Sequence, residues 1–317
     1  MANHQGRAHS KYSASGSERR FACLASVDLE ELSPPSQDSP WSLQGTEAHE
    51  VLESLFKIFT LKSFTDLRDK VAASKDPMIV NGLKMVRYVL AVQKEYEGSE
   101  LLIEQKIYNE DLSPEMFGTA DACLVQVFGT LHVFDYKYGM SPVDPKENTQ
   151  LIQYALGLCH KYDWNFSRAV LHIVQPRIAG GTKKAWTISM DRLRAYHKLF
   201  KENISQIEKG GHKPTPGAHC HWCRAKNTCP AKQGIREEKI ANEFKNNPFK
   251  ERLPNEEKEH KESQAKSGKE KTSQKAKGNY PKGFWPESFE DEGQTKIESS
   301  VRYAHGVSGG RVYSRPV

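Results

Sequence analysis

The amino-acid sequence predicts an α/β domain in which helices flank a mixed β-sheet, and three observations carry that prediction. Apolar residues first recur at helical spacing, in GTEAHEVLESLFKIF (45–59) and VNGLKMVRYVLAVQKEYE (80–97). The period then shortens to LLIEQKI (101–107), FGTADACLVQVF (117–128) and LHVFDYKY (131–138), segments rich in β-branched and aromatic residues and bounded by turn residues. Finally, PKENTQLIQYALGLCHKY (145–162) returns to helical period ahead of a further strand, RAVLHIVQP (168–176).

Each element has its local reason. Thr46 is placed to cap the first helix, whose Ala48, Val51, Leu52, Leu55, Phe56 and Phe59 share a face. Gly129-Thr130 forms a turn, which makes the strands on either side an antiparallel hairpin. A strand that follows a crossover helix lies naturally parallel to the strand before it, and this orients 168–176 against 131–138. AWTISM (185–190) reads as an edge strand, and DRLRAYHKLFKENISQIEKG as a helix opening at Asp191.

At 317 residues and 37% hydrophobic content the chain supports one substantial core with polar extensions. Residues 1–40, with SPPSQDSP at 33–40, read as an irregular leading segment. Residues 41–210 form the folded core, 211–235 a cysteine-rich segment, and 236–317 a charged, disordered tail without large apolar side chains between Leu253 and Tyr280. No apolar run approaches the roughly 20 residues that cross a bilayer, and the first 20 residues carry no signal-like apolar stretch. A soluble, intracellular protein is the expectation. The net charge of +6 is compatible with a polyanionic partner without requiring one.

The chemistry concentrates at the end of LHVFDYKY. On this strand Leu131, Val133, Asp135 and Lys137 share one face, so an apolar face ends in an acid and a base. The neighbouring strand supplies Asp121. Two carboxylates on adjacent strands suit Mg²⁺ or Mn²⁺, which take oxygen ligands and leave room for water and phosphate. Lys137 points into the same space, where it could orient a water and offset phosphate charge. An ordinary ion pair at a strand end is the competing reading of Asp135 and Lys137. Around them stand Glu104 at the end of an adjacent strand, Gln150 and Tyr154 at i and i+4 of the following helix, and His49 in the first helix.

This ordered set, His49, then GTAD, then DYK, then Q-x-x-x-Y, resembles the RecB-like branch of the PD-(D/E)XK nuclease superfamily. The resemblance implies a restriction-endonuclease-like mixed central sheet, with 41–210 as nuclease core. It implies His49, Asp121 and Asp135 as metal ligands, Lys137 as catalytic, Gln150 and Tyr154 as substrate-contacting or supporting residues, and Glu104 as an accessory acid. Where many members carry Glu as the second acid, this chain carries Asp135.

A second metal signal lies in HCHWCRAKNTCP, where Cys220, Cys223 and Cys229 form a C-x2-C-x5-C run. Three thiolates leave a four-ligand site one short, and Cys23 is the natural candidate for the fourth. RecB-like nucleases with an iron–sulfur cluster resemble this layout, one Cys before the core and three after it, which implies a 4Fe–4S cluster. Those relatives often have Pro after the first Cys, whereas Leu24 follows here. The competing chemistry is structural Zn²⁺ with His212, His219 or His221 in place of Cys23. Cys123 and Cys159, among apolar neighbours, read as core filler.

Further stretches, SASGSERR, GTEAHE, FGTADA, DYKYG, ENTQLIQYALG, HIVQPR and PGAHCHWCRAKNTCPAK, are similar to phage and prophage proteins related to CRISPR-associated RecB-like exonucleases. The similarity spans about residues 13 to 235. It implies a DNA exonuclease or end-processing enzyme working in the host cytoplasm. The chain has no G-x-x-x-x-G-K-[ST] motor motif, so it is expected to act alone or with a separate helicase or recombinase. The alternatives are a non-catalytic DNA-binding or assembly protein that keeps the fold and cluster, and a zinc-bearing interaction module.

Overall fold

Five strands build one sheet in the order β1 (Glu100–Tyr108), β2 (Phe117–Val125), β3 (Thr130–Tyr136), β4 (Arg168–Gln175) and β5 (Thr182–Ser189). The structure, a computed structural model, describes residues 10–35, 39–61, 65–179 and 182–245. β1–β2, β2–β3 and β4–β5 are antiparallel, while β3 and β4 run parallel. The expected hairpin and crossover are both present. The crossover is α6 (Thr149–Lys161), whose first turn is capped by Asn148 through the backbone N–H groups of Gln150 and Leu151.

The alternation of LHVFDYKY sends residues to two cores. Leu131 and Val133 join Leu151, Ile152, Ala155 and Trp186 on one face. Phe134, Tyr136 and Tyr138 join Leu52, Phe56 and Val86 on the other, under α3 (Pro40–Thr60) and α5 (Pro77–Glu95). Cys123 and Cys159 are fully buried, as filler should be.

Several bounds differ from expectation, each for a local reason. α3 starts at Pro40 because Ser39 accepts a hydrogen bond from the Ser42 N–H, so Thr46 sits inside the helix instead of capping it. α5 starts at Pro77 because Asp76 takes the N–H groups of Met78 and Ile79. α7 (Met190–Lys209) is capped by Ser189, which leaves Asp191 in its first turn. A short helix, α4 (Thr65–Ala72), separates α3 from α5.

The leading segment is more ordered than its composition predicts. Residues 10–35 contain α1 (Ser17–Ala22) and α2 (Ser26–Glu31), and Tyr12, Ala14, Phe21 and Val27 enter the core that contains Leu151. Burial of these side chains compensates for the entropy of ordering a segment otherwise rich in Ser and charge. After α7, two 3-10 turns (Ala218–Trp222 and Arg224–Asn227) carry the cysteines, and α8 (Pro230–Lys245) follows. The tail expected over 236–317 lies outside the described residues beyond 245. Among the described residues, no helix is long and apolar enough to cross a membrane.

Candidate active site

The site forms where both ladders around β2 are interrupted. Ala122 pairs with Phe134 of β3 and Ile103 of β1, and Ala120 pairs with Gln105. Between them, Asp121 turns its carboxylate to the β3 backbone and accepts the Tyr136 N–H on Oδ2 at 2.6 Å. Opposite it in β1, Glu104 takes a left-handed φ of 46°. For a residue with a Cβ this conformation costs on the order of 1–3 kcal/mol and persists where the surroundings over-determine it. Ala120 packs in the core beneath α6 and Ala122 in the core beneath α3 and α5, so β2 changes its facing at Asp121.

This break brings three ligand-bearing groups together. His49, on α3, places Nδ1 3.1 Å from Asp121 Oδ1. His49, Glu104 and Asp121 each offer a ligand atom, and these atoms lie within 4.8 Å of one another. Asp135 stands outside that trio. Both its oxygens face Lys137 Nζ, at 3.1 Å to Oδ1 and 2.9 Å to Oδ2. Gln150 completes the arrangement, accepting from Lys137 Nζ at 3.0 Å and donating from Nε2 to Asp135 Oδ1 at 3.0 Å. Tyr154 supports it from one turn later, its hydroxyl 3.3 Å from Gln150 Nε2. The structure thus brings the expected residues to one cleft, with Glu104 beside His49 and Asp121, and Asp135 beside Lys137.

The electrostatics follow from burial among acids. Burial alone would lower the His49 pKa, but the Asp121 carboxylate, then Asp135 and Glu104, outweigh it and push the imidazole up to about 9. Burial also opposes the charge on Lys137, yet the adjacent Asp135 keeps its pKa above the ordinary lysine value. Burial raises the Asp135 carboxyl, opposed chiefly by Lys137. Burial likewise raises the Tyr154 phenol, which remains a neutral hydroxyl.

A cleft of about 260 Å³ exposes this group, lined by Thr46, His49, Glu50, Glu53, Glu104, Thr119, Asp121, Asp135, Lys137 and Gln150. Its walls are rich in carboxylates, and a phosphodiester would be repelled unless a cation came with it. One imidazole and two carboxylates within 4.8 Å are a donor set suited to a hard or borderline divalent ion. Glu50 and Glu53 escaped the sequence reading. The signal was present, since Glu53 lies four residues after His49 on one helix.

The four cysteines expected to act together line one small cavity of about 10 Å³, with Thr215 and His219. The Thr215 N–H points at Cys23 Sγ and the Gly217 N–H at Cys220 Sγ, both at 3.4 Å. Burial raises the Cys23 thiol and pushes Cys223 up to about 11, so a thiolate there calls for a bound cation. Of the three candidate histidines, His219 lies on this cavity. His212 instead makes a 2.6 Å contact between Nε2 and the Gln206 carbonyl, and the His221 ring packs edge-on against Trp222.

This chain is similar to solved structures at low identity, among them two crystal structures. The crystal structure of SSO0001 shares 14% identity at a TM-score of 0.30, covering 60% of this chain and 98% of its own. The crystal structure of an alkaline exonuclease (LHK-Exo) from Laribacter hongkongensis shares 12% identity at a TM-score of 0.29, covering 63% and 90%. Residues 9–274 match the family described as "Protein of unknown function (DUF2800)". That match spans most of the 317 residues, and the chain belongs to the DUF2800 family.

Proposed function

We propose that this chain is a divalent-metal-dependent DNA nuclease that hydrolyses phosphodiester bonds, acting as an exonuclease or end-processing enzyme. The observation that carries the reading is one cleft holding His49, Glu104 and Asp121 as a ligand trio beside the Asp135–Lys137–Gln150 group. Those three residues would hold Mg²⁺ or Mn²⁺, with Asp135 adjacent; the ion supplies Lewis-acid polarisation of a phosphoryl oxygen and acidifies a water. Lys137 keeps its ammonium through Asp135 and offers a proton donor and positive charge to a leaving or bridging oxygen. Gln150 holds that ammonium in place from the opposite side, and Tyr154 holds Gln150. The RecB-like resemblance supports the assignment to DNA, with phage replication or recombination as setting and a separate helicase or recombinase as partner. For the cysteines that line one cavity we propose a 4Fe–4S cluster held by Cys23, Cys220, Cys223 and Cys229, with a Cys₃His zinc site through His219 as the alternative.

The test is one anaerobic preparation. Its iron and zinc contents and visible spectrum are recorded, and labelled single- and double-stranded DNA are incubated with Mg²⁺ or Mn²⁺ beside Asp135→Ala. Metal-dependent cleavage abolished by Asp135→Ala is the expected result. Equal activity in both proteins ends the catalytic reading, and DNA binding without cleavage would leave a binding protein in its place. A colourless protein loaded with zinc ends the iron–sulfur assignment.

A further inference from the structure

Gln150 can bridge Asp135 and Lys137 only while α6 holds its rotation and height against β3, and the structure shows what holds it. Thr149 and Gln153, at i and i+4, form the row beside Gln150 and Tyr154, and both face the leading segment. Thr149 Oγ1 lies 2.7 Å from Ser17 Oγ, which also lies 2.7 Å from the Ala14 carbonyl oxygen. Gln153 uses both ends of its amide. Its Oε1 accepts from Arg20 Nη2 at 2.9 Å, and its Nε2 donates to the Tyr12 carbonyl at 2.9 Å. Arg20 in turn donates from Nη1 to the Ser13 carbonyl at 3.0 Å. Ser17, Arg20, Thr149 and Gln153 are all buried.

We infer that α1 is a positioning element for the cleft: Ser17 and Arg20, through Thr149 and Gln153, set α6 so that Gln150 reaches both Asp135 and Lys137. The inference rests on reading the cleft as the phosphodiester-cleaving site. Neither Ser17 nor Arg20 lines that cleft, so any effect they have on turnover is indirect. The geometry explains why a polar, charged segment before the core is ordered at all. Ser17, Arg20 and the Tyr12 carbonyl each meet a partner on α6, and removing one partner leaves the other unsatisfied in a low-dielectric interior.

The test has two readouts, one of them independent of activity. The first is hydrogen exchange of the Gln150 side-chain amide, followed by NMR against an internal reference. Gln175 serves as that reference, because its Nε2 donates to the Gly139 and Ser141 carbonyls. Ser17→Ala and Thr149→Val are expected to speed Gln150 exchange about tenfold or more while Gln175 is unchanged, and Thr149→Ser is expected to restore protection. The second is steady-state cleavage. kcat is expected to fall about tenfold with KM within about twofold, and neither substitution is expected to add more than about twofold in a Gln150→Ala background. Thr149→Val removes the same contact while leaving α1 intact, should Ser17→Ala fail to fold. Unchanged Gln150 exchange, or full additivity with Gln150→Ala, overturns the inference. A wild-type protein inert on DNA overturns the nuclease reading instead, and the exchange result still decides whether α1 positions Gln150.

Discussion

Tyr136 donates its backbone N–H to Asp121 Oδ2 at 2.6 Å, so a site carboxylate makes the β2–β3 link nearest the cleft, where a carbonyl would ordinarily do so. Structure and chemistry therefore share one side chain. Asp121→Asn keeps an acceptor for Tyr136 and removes the charge that pairs with His49; it is expected to abolish metal-dependent cleavage while keeping the β2–β3 link. Asp121→Ala also orphans a buried N–H and is expected to lose about 1–3 kcal/mol in addition. Urea unfolding of the two variants beside their cleavage rates separates the roles.

Lys137 Nζ donates to the Asp135 carboxylate and to Gln150 Oε1, so Lys137→Met leaves both acceptors without that donor. Its kcat is expected to fall about 10²–10⁴-fold with metal affinity nearly kept. Single-turnover cleavage with Mn²⁺, beside Mn²⁺ titration, checks both halves.

A metal held by His49, as proposed, would displace a proton from it, because the neighbouring acids hold its pKa at about 9 and a ligating imidazole is neutral. Apparent Mn²⁺ affinity is expected to rise about tenfold per pH unit below that value and to level off above it. Calorimetry at pH 7 in buffers of different ionisation enthalpy should report about one proton released. His49→Asn should remove the slope.

On the face of the sheet covered by α3 and α5, Tyr88 Oη lies 2.9 Å from His172 Nδ1, and His172 Nε2 lies 3.0 Å from His132 Nδ1. Burial holds both imidazoles neutral, His132 lowered to about 4 and His172 well below 6.5. The unfolded chain takes up these protons below pH 6.5 while the folded chain does not. Their contribution to stability is therefore complete above 6.5 and is lost as pH falls toward 4, at up to about 1.4 kcal/mol per unit for each histidine. Urea midpoints at pH 5 and pH 7 should show the decline, and His132→Gln should flatten it.

Cys23 joins the cavity of the other three cysteines from the end of α1, across nearly the whole fold. If a metal bridges them, it closes a long loop, and its loss costs chain entropy more than chemistry. Cys23→Ser is expected to lower bound iron or zinc and the thermal midpoint together, with residual cleavage at low temperature. Equal metal content in variant and wild type would remove Cys23 from the ligand set.

Much of this architecture was legible because it is local. The two-residue period of LHVFDYKY predicted which side chains enter which core, and the cores divide accordingly. The Gly129-Thr130 turn and the crossover helix predicted the antiparallel and parallel pairings that are observed. The helix starts at Ser39, Asp76 and Ser189 were misread for a different reason. Several capping residues stood near each boundary, and the choice among them depends on where the helix packs. The leading segment was read as irregular because its composition is polar. Nothing in SASGSERR announces that Ser17 and Arg20 will find Thr149 and Gln153 more than 130 residues away.

By itself, the sequence determined the inventory: an α/β sheet, the residues His49, Glu104, Asp121, Asp135, Lys137, Gln150 and Tyr154, and a lone Cys23 far from the run of Cys220, Cys223 and Cys229. Period and turn chemistry act over a few residues, so they can be read without a fold. Only the tertiary structure decided that Glu104 lies within 4.8 Å of His49 and Asp121. That outcome depends on a left-handed backbone at Glu104, a change of facing at Asp121 and the height of α6, which packing imposes and no residue type encodes.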